Sequence, residues 1–173
     1  MNTTLLTRRP SATMTDAELT FLGRDPIDVA LAERQHARYR AALAGAGVAA
    51  IDLPALDSCP DATFVEDTLI ALPEVFVLCR PGALSRQPEV ASIAAALPGD
   101  RPVRVIDAPA TIDGGDVLRV DRTLYVGLST RTNADSVSQL QAHVGPFGYS
   151  VVPVRVPGAL HLKTAVTSPR PGV

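Results

Sequence analysis

Val117-Leu118-Arg119-Val120-Asp121-Arg122-Thr123-Leu124-Tyr125-Val126-Gly127 is the stretch that decides the architecture. Two runs of branched and apolar residues meet at Asp121-Arg122, a gap the length of a tight hairpin connection. A helical stretch then opens at Asn133, carries Val137, Leu140 and Val144 on one side, and halts at Gly145-Pro146. Residues 151–156 read as a further strand, so the local order is strand, strand, helix, strand. A doubly wound α/β sheet is the competing arrangement, but its strands are joined by helical crossovers, and a two-residue link between neighbours argues against it.

Upstream, the same grammar recurs. Asp25-Pro26 reads as an N-cap with proline at the first helical position. Val29, Ala32, His36, Tyr39 and Leu43 then follow at helical spacing, up to Gly45 and Gly47. A second helix is expected from Pro88, with Val90, Ile93 and Leu97 on one face and a stop at Pro98-Gly99. Strands are expected over residues 3–7, 48–53, 63–72, 75–79, 103–106, 117–120 and 123–127, and again over 160–167. The helix starts recur at roughly 45 to 60 residues, an interval that suggests structural repeats although the residues themselves do not repeat. Residues 168–173 read as a loose tail.

Composition removes several function classes. The 173 residues are 46% hydrophobic, enough for one core in a single domain spanning residues 1–173. A net charge of −2, 4% aromatics and no Trp supply neither the basic surface nor the stacking platform of a nucleic-acid binder. No apolar run approaches the ~20 residues needed to cross a bilayer, and the first ten residues lack the apolar core of a signal peptide. Two cysteines, Cys59 and Cys79, make no disulfide framework, so a reduced, cytoplasmic setting is expected.

Four polar stretches stand in apolar surroundings. In Cys59-Pro60-Asp61-Ala62-Thr63-Phe64-Val65-Glu66-Asp67, adjacent carboxylates on a strand would face opposite ways. Either Glu66 or Asp67 then looks inward and needs a cationic partner, or the pair marks an exposed strand end. In Thr111-Ile112-Asp113-Gly114-Gly115-Asp116, two glycines between carboxylates permit close backbone approach, or make a plain turn. The spacing is not a dinucleotide fingerprint. Arg131, in Gly127-Leu128-Ser129-Thr130-Arg131-Thr132-Asn133, is either a carboxylate clamp or a solvated loop residue. His161, set between Leu160 and Leu162, is either a core histidine or an acid/base partnered by a carboxylate such as Asp113.

In combination these stretches are specific. Pro60-Asp61-Ala62-Thr63-Phe64-Val65-Glu66-Asp67, Arg80-Pro81-Gly82-Ala83, Asp113-Gly114-Gly115-Asp116-Val117-Leu118, Arg131-Thr132-Asn133 and Leu160-His161-Leu162-Lys163 come in the order of the signatures of dimethylarginine dimethylaminohydrolases, pentein-type guanidine-modifying hydrolases. The chain resembles that family over essentially its whole length.

The resemblance implies an α/β propeller of ββαβ repeats, here incomplete at about three of five. It implies hydrolysis of dimethylarginine to citrulline and dimethylamine through a covalent intermediate on a cysteine. His161 then matches the acid/base histidine and Asp113 the carboxylate that orients it. Asp61, Glu66 and Asp67 match positions around the cationic end of the substrate, and charge-assisted hydrogen bonds give the chemical reason. Arg86 and Arg131 match arginines that hold the α-carboxylate, and Leu19 matches a lid residue. No cofactor or metal ion is implied. The partner implied is a small arginine-like molecule, with self-association through open propeller flanks expected of an incomplete ring.

Two departures from the family pattern stand out. Leu84 occupies a position where an acidic residue is expected near Arg86. Neither Cys59 nor Cys79 matches the family's nucleophile, which belongs to its last repeat, so this chain alone is expected to be inactive. The alternatives are a non-catalytic guanidino-ligand binding module or degenerate fragment, and an arginine deiminase or amidinotransferase relative.

Overall fold

The computed structural model describes residues 4–21 and 23–168. Among these residues the strands form three small sheets. Strand β1 (Thr4–Thr7) runs parallel to β2 (Ala49–Asp52), and helix α1 (Val29–Gly45) connects them. In the second unit β3 (Leu69–Ala71) is antiparallel to β4 (Phe76–Leu78), helix α2 (Glu89–Ala96) crosses over, and β5 (Val103–Val105) returns parallel to β4. The third unit repeats this order with β6 (Val117–Val120), β7 (Thr123–Leu128), α3 (Ala134–Val144) and β8 (Ser150–Arg155). The fold is α/β, and among the described residues none of the three sheets joins another.

The two-residue hairpin at Asp121-Arg122 is present, with Val120 opposite Thr123. Asp121 takes φ +52, a left-handed conformation that an aspartate tolerates better than a branched residue. Asn133 caps α3 by accepting from Ser136 N at 3.2 Å, and its side chain also accepts from Thr111 N and donates to Pro109 O. One cap thus ties the helix start to the loop before Asp113.

Among the described residues, two clusters form the core. Val75, Val77, Cys79 and Ile106 pack with Leu124, Val126, Leu140, Val144 and Tyr149, which joins the second and third units. Leu53, Val65, Leu78 and Ile93, with Leu6 against them, join the first and second.

Three expectations need correction. Helix α1 starts at Val29, not Pro26, because Asp28 is the residue whose carboxylate accepts from Leu31 N. Its predicted stripe is only half-buried and Tyr39 is exposed, since the sheet beneath has two strands to cover. Residues 63–72 are not one strand: a 3₁₀ turn at Val65–Thr68 precedes β3, held by Asp67 N to Phe64 O and Thr68 Oγ1 to Val65 O. Residues 160–167 are not a strand either. Leu162 N donates to the Asp116 carboxylate at 2.9 Å, and the chain winds into the short helix α4 (Leu162–Ala165). The expected strand start at Thr3 and all of the tail after Ser168 lie outside the described residues. Among the described residues no helix is long and apolar enough to cross a membrane.

Candidate active site

The site grows from the turn Gly114–Asp116, where Asp113-Gly114-Gly115-Asp116 passes against two other segments. A Cβ on Gly114 would stand 2.0 Å from Glu66 O, and one on Gly115 would stand 2.7 Å from Asp67 Oδ1 and 2.8 Å from His161 Cδ2. Close packing requires both glycines; neither takes positive φ. That approach brings Asp67, Asp113 and His161 together, with one ligand atom from each lying within 4.8 Å of the others.

Asp116 is the anchor. Fully buried, it accepts from Ser129 Oγ and Thr132 Oγ1 at 2.7 Å each on Oδ2, and from Leu162 N on Oδ1. Those bonds, with His161, outweigh burial and hold its carboxyl below the usual range. His161 Nδ1 lies 3.4 Å from Asp116 Oδ2, close but short of a well-formed hydrogen bond. On the ring's other edge, Nε2 lies 3.8 Å from Asp67 Oδ1. Burial alone would lower the imidazole pKa, but Asp116, Asp67 and Asp113 outweigh it and raise it.

Asp113 is therefore beside His161 as expected but is not hydrogen-bonded to it. Its Oδ1 accepts from Gly82 N at 2.8 Å, and its own N–H donates to Thr132 Oγ1. Burial, helped by the charge on Asp67, pushes its carboxyl up to about 6 from 3.8. The native state thus holds this proton more tightly than the unfolded chain. The resulting stability is full below about pH 4 and lost as pH rises through about 6. Asp113→Asn should remove this dependence. Relative to the unchanged chain, it should gain about 2 kcal/mol between pH 4.5 and 7.5. Parallel denaturation curves at the two pH values would contradict that.

The other expected residues line one broad, open concavity of about 1860 Å³ that includes Leu19, Asp61, Glu66, Asp67, Arg86, Asp113, Arg131 and His161. Asp67 is the inward carboxylate and Glu66 the outward one, paired with Lys163 Nζ at 2.6 Å. Asp61 is buried and accepts from Glu18 N, which holds the segment bearing Leu19 over the site. Arg131 donates to Thr20 Oγ1 on that segment and has no carboxylate within 4 Å among the described residues.

Arg86 departs from expectation. It is buried and bound to Asp67 by Nη1 and to Glu89 by Nε and Nη2, so arginines and carboxylates do not sit at opposite ends of the cavity. A buried guanidinium takes the nearest counter-charges, and here these are Asp67 and Glu89. Leu84, the residue in the expected acidic position, is exposed.

Sequence reasoning singled out Arg131 and passed over its neighbour Thr132, which is buried and bonds both Asp113 and Asp116. It also passed over Asp116 as the partner of His161, although Asp116 stood in the quoted motif. Glu89 carried no local signal.

The trio of Asp67, Asp113 and His161 could share a cation. Arg86 already places positive charge on Asp67, and Gly115 N fills part of its other oxygen. A dispersed, donor-bearing cation suits these half-occupied carboxylates better than a small dication.

No family model matches the chain. It is 41% identical over 164 residues to the N(G),N(G)-dimethylarginine dimethylaminohydrolase of Streptomyces coelicolor, covering 94% of this chain and 64% of the relative. The Pseudomonas aeruginosa enzyme of the same name is 35% identical with the same coverage. A solved structure of the Pseudomonas aeruginosa protein, a Cys-to-Ser variant complexed with citrulline, superposes with a TM-score of 0.90 at 34% identity. That match covers 97% of this chain and 66% of the other. The N-terminal domain of the cyanobacterial arginine dihydrolase ArgZ, at 20% identity and a TM-score of 0.78, shares the fold. The chain spans less than two thirds of the length of the relatives it matches. With that much of its sequence and backbone held in common, the chain is similar to dimethylarginine dimethylaminohydrolases over nearly its whole length.

Proposed function

We propose that this chain forms the guanidinium-binding and proton-transfer part of a hydrolase that converts dimethylarginine and water to citrulline and dimethylamine. One observation carries the reading: His161 is held between Asp116 on one nitrogen and Asp67 on the other, beside Asp113, at the wall of the cavity. The citrulline complex of the Pseudomonas aeruginosa relative supports it. The substrate cation lies against Asp67, Glu66 and Asp61, and Arg131 takes the α-carboxylate. Arg86 contributes its charge to that end mainly through Asp67. The three units are read as consecutive blades of an α/β propeller, two of them complete in their ββαβ order.

His161 protonates the departing amine and then, neutral, draws a proton from the attacking water. A raised imidazole pKa favours the first task, and Asp113 and Asp116 stabilise the cation that alternates with it. The nucleophile is a cysteine thiolate in the family's chemistry. Cys59 and Cys79 are both buried and neither lines the cavity, and burial pushes the Cys79 thiol up. An apolar trough lined by Leu118, Val120, Tyr125, Val154 and Val166 supports self-association.

Calorimetric titration tests the reading. The 173-residue chain should bind dimethylarginine and release no citrulline from it, and Asp67→Asn should weaken binding at least tenfold, or about 1.4 kcal/mol. Binding that ignores Asp67, or no binding by a folded chain, would contradict it.

A further inference from the structure

We propose that Glu89 is a positioning residue of this site: from the first turn of α2 it fixes the Arg86 guanidinium, and through it the Asp67 carboxylate that faces His161. The inference rests on the reading of Asp67 and His161 given above.

Glu89 is fully buried, and α2, with the sequence Glu-Val-Ala-Ser-Ile-Ala-Ala-Ala, is otherwise built of small and apolar residues. A carboxylate in that position is costly unless its charge is matched. Both oxygens go to one partner: Arg86 Nε donates to Oε1 and Nη2 to Oε2, each at 3.0 Å. Nη2 also reaches Asp61 O and Phe64 O. The fork is thereby fixed in its plane, and only Nη1 is left to meet Asp67, at 2.5 Å on Oδ2.

That division matters for Asp67. A guanidinium with one carboxylate partner draws it into a two-pronged pair and occupies both oxygens. Because Glu89 takes the fork, Asp67 meets Arg86 through Oδ2 alone. Its Oδ1 stays turned to Gly115 N at 2.9 Å and to His161 Nε2 at 3.8 Å. The charges add to the same effect. Glu89, Arg86 and Asp67 together carry one net negative charge beside the cavity, whereas Arg86 and Asp67 alone carry none. Glu89 thus keeps Asp67 available to an incoming cation. A role confined to holding α2 would not favour charged over neutral ligands.

The test compares a cationic with a neutral ligand on the full 173-residue chain. Dimethylarginine carries the charge and citrulline does not. Glu89→Gln should weaken dimethylarginine about tenfold and change citrulline by less than about threefold. Glu89→Asp, which keeps the charge, should retain most of the dimethylarginine affinity. Equal weakening of both ligands, no change in either, or loss of the fold in both variants would overturn the proposal.

If the unchanged chain fails to bind dimethylarginine, the functional reading fails, and the titration of the His161 ring by NMR still decides about Glu89. Facing that ring are Asp116, Asp67 and Asp113. Facing Glu89 are Arg86, Asp61 and Arg8. Glu89→Gln should lower the His161 midpoint, and in an Asp67→Asn background it should not move it further. An unmoved midpoint, or the same shift in both backgrounds, would overturn the proposal.

Discussion

Gly114→Ala is expected to destabilise the chain by more than about 4 kcal/mol, a large share of the ~5–15 kcal/mol that holds a domain together. The added Cβ would fall 2.0 Å from Glu66 O, a backbone atom that no side-chain rotation can remove. One of two segments must move, the Asp113–Asp116 turn or the 3₁₀ turn carrying Asp67, and either motion breaks Gly115 N to Asp67 Oδ1. Gly99→Ala is the control. Nothing lies within 4 Å of its added Cβ, so the smaller entropy of the unfolded chain should leave it neutral to slightly stabilising. Urea denaturation of the three proteins checks both. Equal midpoints for Gly114→Ala and Gly99→Ala would show that the segments are not packed as described.

Asp116→Ala should be nearly as damaging, at about 3–5 kcal/mol. The substitution strips the acceptor from Ser129 Oγ, Thr132 Oγ1 and Leu162 N at once, and takes the charge away from His161 Nδ1. Thr132 also bonds Asp113 N, so the loss reaches the Asp-Gly-Gly-Asp turn from its other end. The His161 pKa should fall, because burial remains while the largest opposing partner is gone. A variant that melts with the unchanged chain and titrates His161 at the same pH would remove Asp116 from the account.

The legibility of the chain follows how local each cause is. The hairpin at Asp121-Arg122, helix α3 from Asn133 and the stop of α2 before Pro98 were readable because turns and caps act within a few residues. Residues 63–72 and 160–167 were misread as strands for the opposite reason. Both have strand-like composition, but the first is turned by bonds around Phe64 O and Val65 O and the second by a carboxylate 46 residues earlier. The site divides the same way. Ordered motifs named His161, Asp113 and Asp67, and the structure brings them within 4.8 Å. The family pattern did not carry the bond that Asp113 accepts from Gly82 N in place of one with His161, nor the pairing of Arg86 with Glu89. Those depend on which buried charge lies nearest in space.

A crystal structure of this chain with dimethylarginine bound tests the central claim most directly. The account predicts the guanidinium in the cavity against Asp67, Glu66 and Asp61, its carbon beside His161 Nε2, and the α-carboxylate on Arg131. A ligand seated elsewhere, or one whose guanidinium avoids Asp67 while its carboxylate occupies that pocket, would contradict it.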